Sequence, residues 1–140
     1  MIMLQSIQRT TKYTLVALIL GFATACATTS DEVDLLDKSF MLYEHALRWQ
    51  DYDVIIGFHK NEHDKLTEVR RKYLKQFRVT GYDVVYTKVA GDERSATQIV
   101  EVKYYNEAYN VVREMTLNHK WEFDEEKELW QVSNDLPDFK

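Results

Sequence analysis

The residues His59-Lys60-Asn61-Glu62-His63 spell H-x-x-E-H, an order that can place two imidazole ligands of a zinc ion on one helix with a carboxylate between them as general base. That chemistry needs both rings on a shared helical face and a third protein ligand downstream. Here the five residues fall at the entry to an expected helix, with Asn61 and Asp64 as capping types, so the rings need not converge. We read the stretch as a solvated loop and helix start, with no metal and no cofactor. Arg113 and His119 are a second candidate pair, because they interrupt an otherwise apolar face of an expected strand, and a cation buried without a partner is costly. In one arrangement they line a pocket with Tyr104, Tyr109 and Trp121 that holds an acidic or aromatic ligand. In the other they lie near the margin of the sheet, Arg113 paired with a surface acid and His119 stacked among aromatics, and this is the arrangement we expect. The third reactive group is the thiol of Cys26, the only cysteine. No glycine-rich phosphate loop, no serine in a nucleophile-elbow context and no second cysteine for a redox or metal pair accompanies it.

Cys26 sits where an apolar run ends. Residues 1–14 carry Arg9 and Lys12 and no acid, residues 15–23 are nearly all apolar, and Ala23-Thr24-Ala25 is a run of small residues. This is the order of an export signal: basic region, apolar region, small-residue cleavage site. A membrane-spanning helix needs about 20 apolar residues, whereas Leu15 to Ala25 supplies 11. An ordinary secretory leader requires no cysteine after the cut. Ala23-Thr24-Ala25-Cys26 resembles the lipobox of bacterial lipoproteins, with Ala23 standing where that family prefers leucine. The resemblance implies a diacylglyceryl group on the Cys26 sulfur, removal of residues 1–25 and acylation of the new amino terminus. Ala27, in place of an aspartate, implies the outer membrane, facing the periplasm. The alternative, a free cysteine packed as a small hydrophobe, leaves the order of the preceding residues unexplained. Anchoring by several acyl chains is stable where one holds only marginally.

Losing Arg9 and Lys12 with the leader takes 18 basic residues to 16 against 23 acids, a net charge of −7 over residues 26–140. Such a balance argues against nucleic acid as partner and disfavours a broad grip on anionic lipid. The expected partners are therefore the membrane through the anchor, and an envelope protein or a small hydrophobic ligand. The 18 aromatics, nine of them tyrosines, invite a sugar-binding reading. Most fall at core-facing positions, where aromatics chiefly supply buried area, and only Tyr52, Tyr105 and Tyr109 fall near turns.

These groups must be positioned by a small set of elements. Residues 26–31 are a polar tether, and Thr29 with Glu32 matches a capping box, placing a helix start near Ser30 to Glu32. Val33, Leu36, Phe40, Tyr43 and Leu47 recur at helical spacing to about Gln50, with Leu35, Leu42, Ala46 and Trp49 widening the stripe. After a turn at Asp51, one or two helical turns reach Phe58. A longer helix is expected over 63–76, with Leu66, Val69, Tyr73 and Leu74 on its apolar face. Four strands follow, over 78–89, 97–105, 109–123 and 128–133, separated by the turn clusters 90–95, 106–108 and 124–127. Short turns between successive strands imply an antiparallel meander. The fold class is α+β, with two or three amino-terminal helices packed on a four-stranded antiparallel sheet over residues 32–140.

Three stretches together carry a family resemblance: Tyr43 and Ala46-Leu47-Arg48-Trp49 with Asp51-Tyr52-Asp53, then Phe77-Arg78-Val79-Thr80-Gly81-Tyr82-Asp83-Val84, and Trp121 followed by Trp130-Gln131-Val132. They resemble a group of small proteobacterial lipoproteins with a nuclear-transport-factor-2-like (NTF2-like, cystatin-like cone) domain. That resemblance implies a curved sheet wrapped around the first helix, with a pocket at the wide end of the cone. Some members of this superfamily are enzymes and many only bind, so the fold alone does not decide the activity. The expectation is a non-catalytic binding module, and the alternative is an enzyme or small-ligand carrier using Arg113 and His119.

Overall fold

The computed structural model describes residues 29–60 and 66–140, with the side chains of Thr29 and Ser30 left aside. Cys26 and the leader, like residues 61–65 with Glu62 and His63, lie outside the described residues. Three helices, α1 (Thr29–Arg48), α2 (Tyr52–Phe58) and α3 (Glu68–Leu74), precede four strands, β1 (Phe77–Val89), β2 (Ser95–Asn106), β3 (Val112–Asp124) and β4 (Leu129–Val132). The strands form one open antiparallel sheet in the order β1-β2-β3-β4. The expected α+β architecture is the observed one. No helix among the described residues is long and apolar enough to cross a membrane.

Helix α1 begins at Thr29, inside the segment expected to be tether, with Asp31 and Glu32 in its first turn and His45 and Arg48 in its last. This arrangement complements the helix dipole at both ends. Leu36, Tyr43, Ala46 and Leu47 are buried, while Leu35, Leu42 and Trp49 are exposed. The stripe is therefore narrower than the sequence implies, because one sheet face covers only one side of the helix. Helix α2 is capped by Asp51, whose carboxylate accepts from the Val54 amide at 3.3 Å. The Tyr52 hydroxyl donates to the Leu74 carbonyl at 3.0 Å and ties α2 to the end of α3.

The expected helix over 63–76 is corrected to seven residues. Thr67, not Asn61 or Asp64, is its cap: the Thr67 hydroxyl accepts from the Arg70 amide at 3.2 Å, so the helix starts at Glu68. Of its apolar residues only Leu74 is fully buried, and Val69 is 80% exposed. The third strand begins at Val112 rather than Tyr109. Amides of Tyr109 and Asn110 both donate to the Asn106 carbonyl, at 3.1 and 2.9 Å, and Asn110 has φ 52°, so these residues close a turn.

The core sits between α1 and one sheet face. Ala96, Gln98, Val100, Val102 and Tyr104 of β2 are buried, as are Leu117, His119 and Trp121 of β3. The period-2 alternation read from the sequence is thus kept in both strands. Trp121 is the hub, with Phe40, Tyr43 and Phe58 ring centroids at 5.1, 5.7 and 5.7 Å, and Ala96 lies opposite it in the register. Beyond β4 the chain has no regular structure, yet Leu136 and Phe139 are buried, and Phe139 stacks on Phe77 at 5.5 Å and packs on Tyr104 at 4.8 Å.

Candidate functional site

The five residues considered as one pocket do not come together. Arg113 is exposed at the start of β3 and donates from Nη1 to the main-chain oxygen of Lys140 at 3.0 Å, not to a surface acid. Tyr109, 77% exposed, lies in the adjoining turn. Both residues line a cavity of about 470 Å³ with Tyr73, Gln76 and Phe77. Tyr104 is buried below it, its hydroxyl 3.5 Å from the Lys140 amide. His119 is six residues further along β3 than Arg113, roughly 20 Å away at the rise of a strand, and Trp121 is beyond it. The alternative of a shared pocket does not gather these residues: an extended strand separates on one face what the sequence places on the same parity.

His119 is sealed. It is 3% exposed, lies edge-on to Tyr43 at 4.9 Å and to Trp121 at 6.1 Å, and neither ring nitrogen has a hydrogen-bond partner. Burial, with a smaller contribution from the charge of nearby His59, pulls its pKa down to about 4, so the ring is neutral at pH 7. Among the described residues no carboxylate is within hydrogen-bonding range of it, as a general acid–base pair would require. The expectation that His119 stacks among aromatics describes its surroundings.

His59 is where the reading of a solvated loop is corrected. It is buried, and its Nδ1 is 2.7 Å from the Asn134 carbonyl while its Nε2 is 3.0 Å from the Tyr43 hydroxyl. A carbonyl only accepts, so Nδ1 carries the proton and Nε2 accepts from Tyr43. Burial, helped by neighbouring Tyr82 and Tyr52, pushes the Tyr43 pKa far up and keeps the hydroxyl a donor. The main chain of His59 also bridges to Val132 in parallel, covering the outer edge of β4. Among the described residues no group of three or more His, Cys, Asp or Glu side chains is placed to hold a metal ion.

Sequence reasoning missed the groove that does open on the sheet. Asp37, Phe40, Met41 and Glu44 of α1, spaced at 0, 3, 4 and 7 along one helix face, stand over Tyr82, Val84, Thr87 and Gln98 of β1 and β2. Together they enclose about 510 Å³. Met41 and Val84 are 63% and 51% exposed at its mouth. On its floor Gln98 is 1% exposed with Oε1 unpartnered, and the buried Tyr82 hydroxyl is likewise without a partner. Burial, with the nearby Glu44 carboxylate second and Arg48 opposing, pushes the Tyr82 pKa far up. Glu44 is held by Arg48 Nε at 2.9 Å, and Asp37 makes no ion pair among the described residues. The signal available in the sequence was Gln98, a polar residue in phase with Val100, Val102 and Tyr104.

No protein-family model matches the sequence, and no curated protein matches it at a significant level. Solved structures do share its fold. A SEC-C motif containing protein from Rhodopseudomonas palustris superposes with a TM-score of 0.52 at 14% identity, over 65% of this chain and 69% of that one. A second, from Psychrobacter arcticus, gives 0.56 at 10% identity, over 76% of this chain and 63% of the other, which is therefore substantially longer than the matched part. A ketosteroid isomerase-like protein from Erwinia carotovora atroseptica gives 0.54 at 15% identity, over 74% of this chain and 92% of that one. At such identities the likeness is one of fold, and the fold is that of an NTF2-like neighbour.

Proposed function

We propose that this chain is a lipid-anchored module of the bacterial cell envelope, held at the periplasmic face of the outer membrane through Cys26, that works by binding rather than by catalysis. Its proposed ligand is a small, mainly apolar molecule carrying a hydrogen-bond donor, taken up in the groove between α1 and the sheet. The observation that carries this reading is the groove lining, where Gln98 Oε1 and the Tyr82 hydroxyl are closed off from solvent and without partners, so that a ligand meets them by turning these side chains toward the groove. An unmade hydrogen bond to a buried group costs about 1–3 kcal/mol, which a ligand donor would recover. Apolar walls from Phe40, Met41 and Val84 suit the body of such a ligand, and Asp37 and Glu44 favour a cationic donor over an anionic one. The binding reading is favoured over the enzyme reading because His119 has no partner among the described residues and Arg113 sits at the other end of β3.

Two measurements test the two halves. Intact-mass spectrometry of the chain from its own host should find residues 1–25 removed and a diacylglyceryl thioether at Cys26, and an unmodified thiol would refute the anchor. Titration of the chain with decylamine, followed by NMR, should shift the Gln98 side-chain amide and the Met41 methyl together, and Gln98→Leu should weaken binding. Shifts that spare both residues would refute the groove.

A further inference from the structure

We infer that two copies of this chain pair through the open edge of β1, antiparallel about a two-fold axis that sets Val85 opposite the partner's Tyr86. The two outer edges of the sheet differ. That of β4 is covered by the bridge from His59 and by the Lys60 amide, which donates to the Val132 carbonyl at 3.3 Å. That of β1 carries no strand among the described residues, and Asp83 to Lys88 are all exposed. Val84, Val85 and Tyr86 are 51%, 59% and 46% exposed there. A β-branched and aromatic edge of this kind is a template for another strand.

The register follows from a bulge. Val84 pairs with Val100 and Tyr86 with Ile99, so Val85 has no counterpart on β2. Side chains and outward-pointing backbone groups both alternate along a strand, and one extra residue reverses their parity beyond it. In a strand without a bulge, a two-fold antiparallel pair matches faces only when opposed residue numbers sum to an even value. With the bulge at the axis the odd sum 171 is the matching one. It sets Tyr82 opposite the partner's Val89, Val84 opposite the partner's Thr87, and Asp83 opposite the partner's Lys88, each contact made twice.

The charges fit that register. In the single chain Asp83 stands across from Glu101, a like-charge pair that destabilises an antiparallel ladder. Lys88 stands across from Thr97, which faces Lys120 on its other side. None of Asp83, Lys88, Glu101 and Lys120 makes an ion pair among the described residues. Pairing two β1 strands joins the acidic row of one copy to the basic row of the other and relieves the Asp83–Glu101 repulsion.

Sedimentation velocity of the full chain, in detergent where it is acylated, tests this with the variants Asp83→Lys, Lys88→Asp and the double exchange. The wild type should dimerise. Each single variant sets like charges opposite one another twice per dimer and should weaken it roughly tenfold or more, while the double exchange should return within about threefold of wild type. Urea unfolding midpoints near that of wild type would show that the exposed substitutions leave the fold intact. A wild-type chain that stays monomeric overturns the proposal. So does a dimer indifferent to all three variants, or one that the double exchange fails to restore.

Discussion

His119 should make this domain lose stability in mild acid, and the effect can be sized from its surroundings. Its imidazole is 3% exposed and unpartnered, with a pKa pulled from 6.5 down to about 4 by burial first and by His59 second. Above pH 6.5 the ring is neutral in both folded and unfolded chains. Between pH 6.5 and about 4 the unfolded chain takes up a proton that the folded chain refuses, so stability falls as pH falls through that window. The gap corresponds to on the order of 3 kcal/mol, all of it present at pH 7 and gone below pH 4. Leucine is close in volume and carries no titratable atom. His119→Leu should therefore be no less stable than wild type at pH 7, since it also removes two unsatisfied buried nitrogens at about 1–3 kcal/mol for a group left in that state. It gives up edge contacts with Tyr43 and Trp121 in exchange. Urea unfolding at pH 7, 6, 5 and 4.5 reads the difference: the wild-type free energy should fall more steeply than that of the variant by most of the 3 kcal/mol. Equal slopes, or a His119 ring that titrates above pH 6 by NMR in the folded chain, would refute the argument.

Two further substitutions test the ties that hold the sealed end. Tyr43→Phe removes the O–H that His59 Nε2 accepts at 3.0 Å and should cost about 1–3 kcal/mol in urea unfolding, the penalty of a buried acceptor without a donor; a loss under about 0.5 kcal/mol would show that the pair is not satisfied as described. Phe139→Ala should cost about 3–5 kcal/mol, because this fully buried ring stacks on Phe77 and packs at a tilt on Tyr104; a marginal loss by thermal or chemical unfolding would show that the tail is only loosely applied.

Hydrophobic period carried the reading of the sheet. The alternation of Gln98, Val100, Val102 and Tyr104, and of Leu117, His119 and Trp121, is the burial observed, because one face of the sheet is covered by α1 and the period of a strand leaves no other register. Turn chemistry located the three hairpins but not all of their ends: Glu93, Asn110 and Glu128, with φ 56°, 52° and 51°, close them, and only Glu93 falls inside an expected turn, Asn110 and Glu128 lying at the expected starts of strands. What failed was anything decided by long-range contacts. His59 looked like loop because its partners, Tyr43 and Asn134, are 16 and 75 residues away. The helix over 63–76 looked long because Val69 and Tyr73 are apolar, yet Val69 is exposed, Tyr73 is only partly covered where it packs on Phe77, and Leu74 alone is fully buried. Leu136 and Phe139 sit in a segment with no period to read. The pairing of Arg113 with His119 failed for a geometric reason, since equal parity on a strand sets the face and says nothing about distance along it.

The face of the sheet that packs against α1 is in this way divided along its length. Over Trp121, Tyr43 and His119 the aromatic rings interlock and nothing polar reaches solvent. Over Gln98 and Tyr82 the same helix offers Asp37, Met41 and Glu44 instead, β1 bulges at Val85, and the face opens. Packing would close that end at little expense with an apolar residue in place of Gln98, since two unmet polar atoms on the floor of a groove oppose folding. His119 carries unmet polar atoms as well, but its ring is sealed by Tyr43 and Trp121, whereas Gln98 lines a groove, and it is this access that supports the proposed ligand site at Gln98 rather than at the histidines. Val84 and Thr87, on either side of the bulge, line the groove, and the bulge sets the parity of the β1 edge, so the proposed ligand uptake and the inferred self-pairing share one irregular strand. A ligand that moves Val84 or Thr87 should accordingly shift the monomer–dimer balance, and sedimentation of the chain with and without decylamine should reveal that coupling as a displaced dimer dissociation constant; an unmoved constant at saturating decylamine would show that the two uses of β1 are independent.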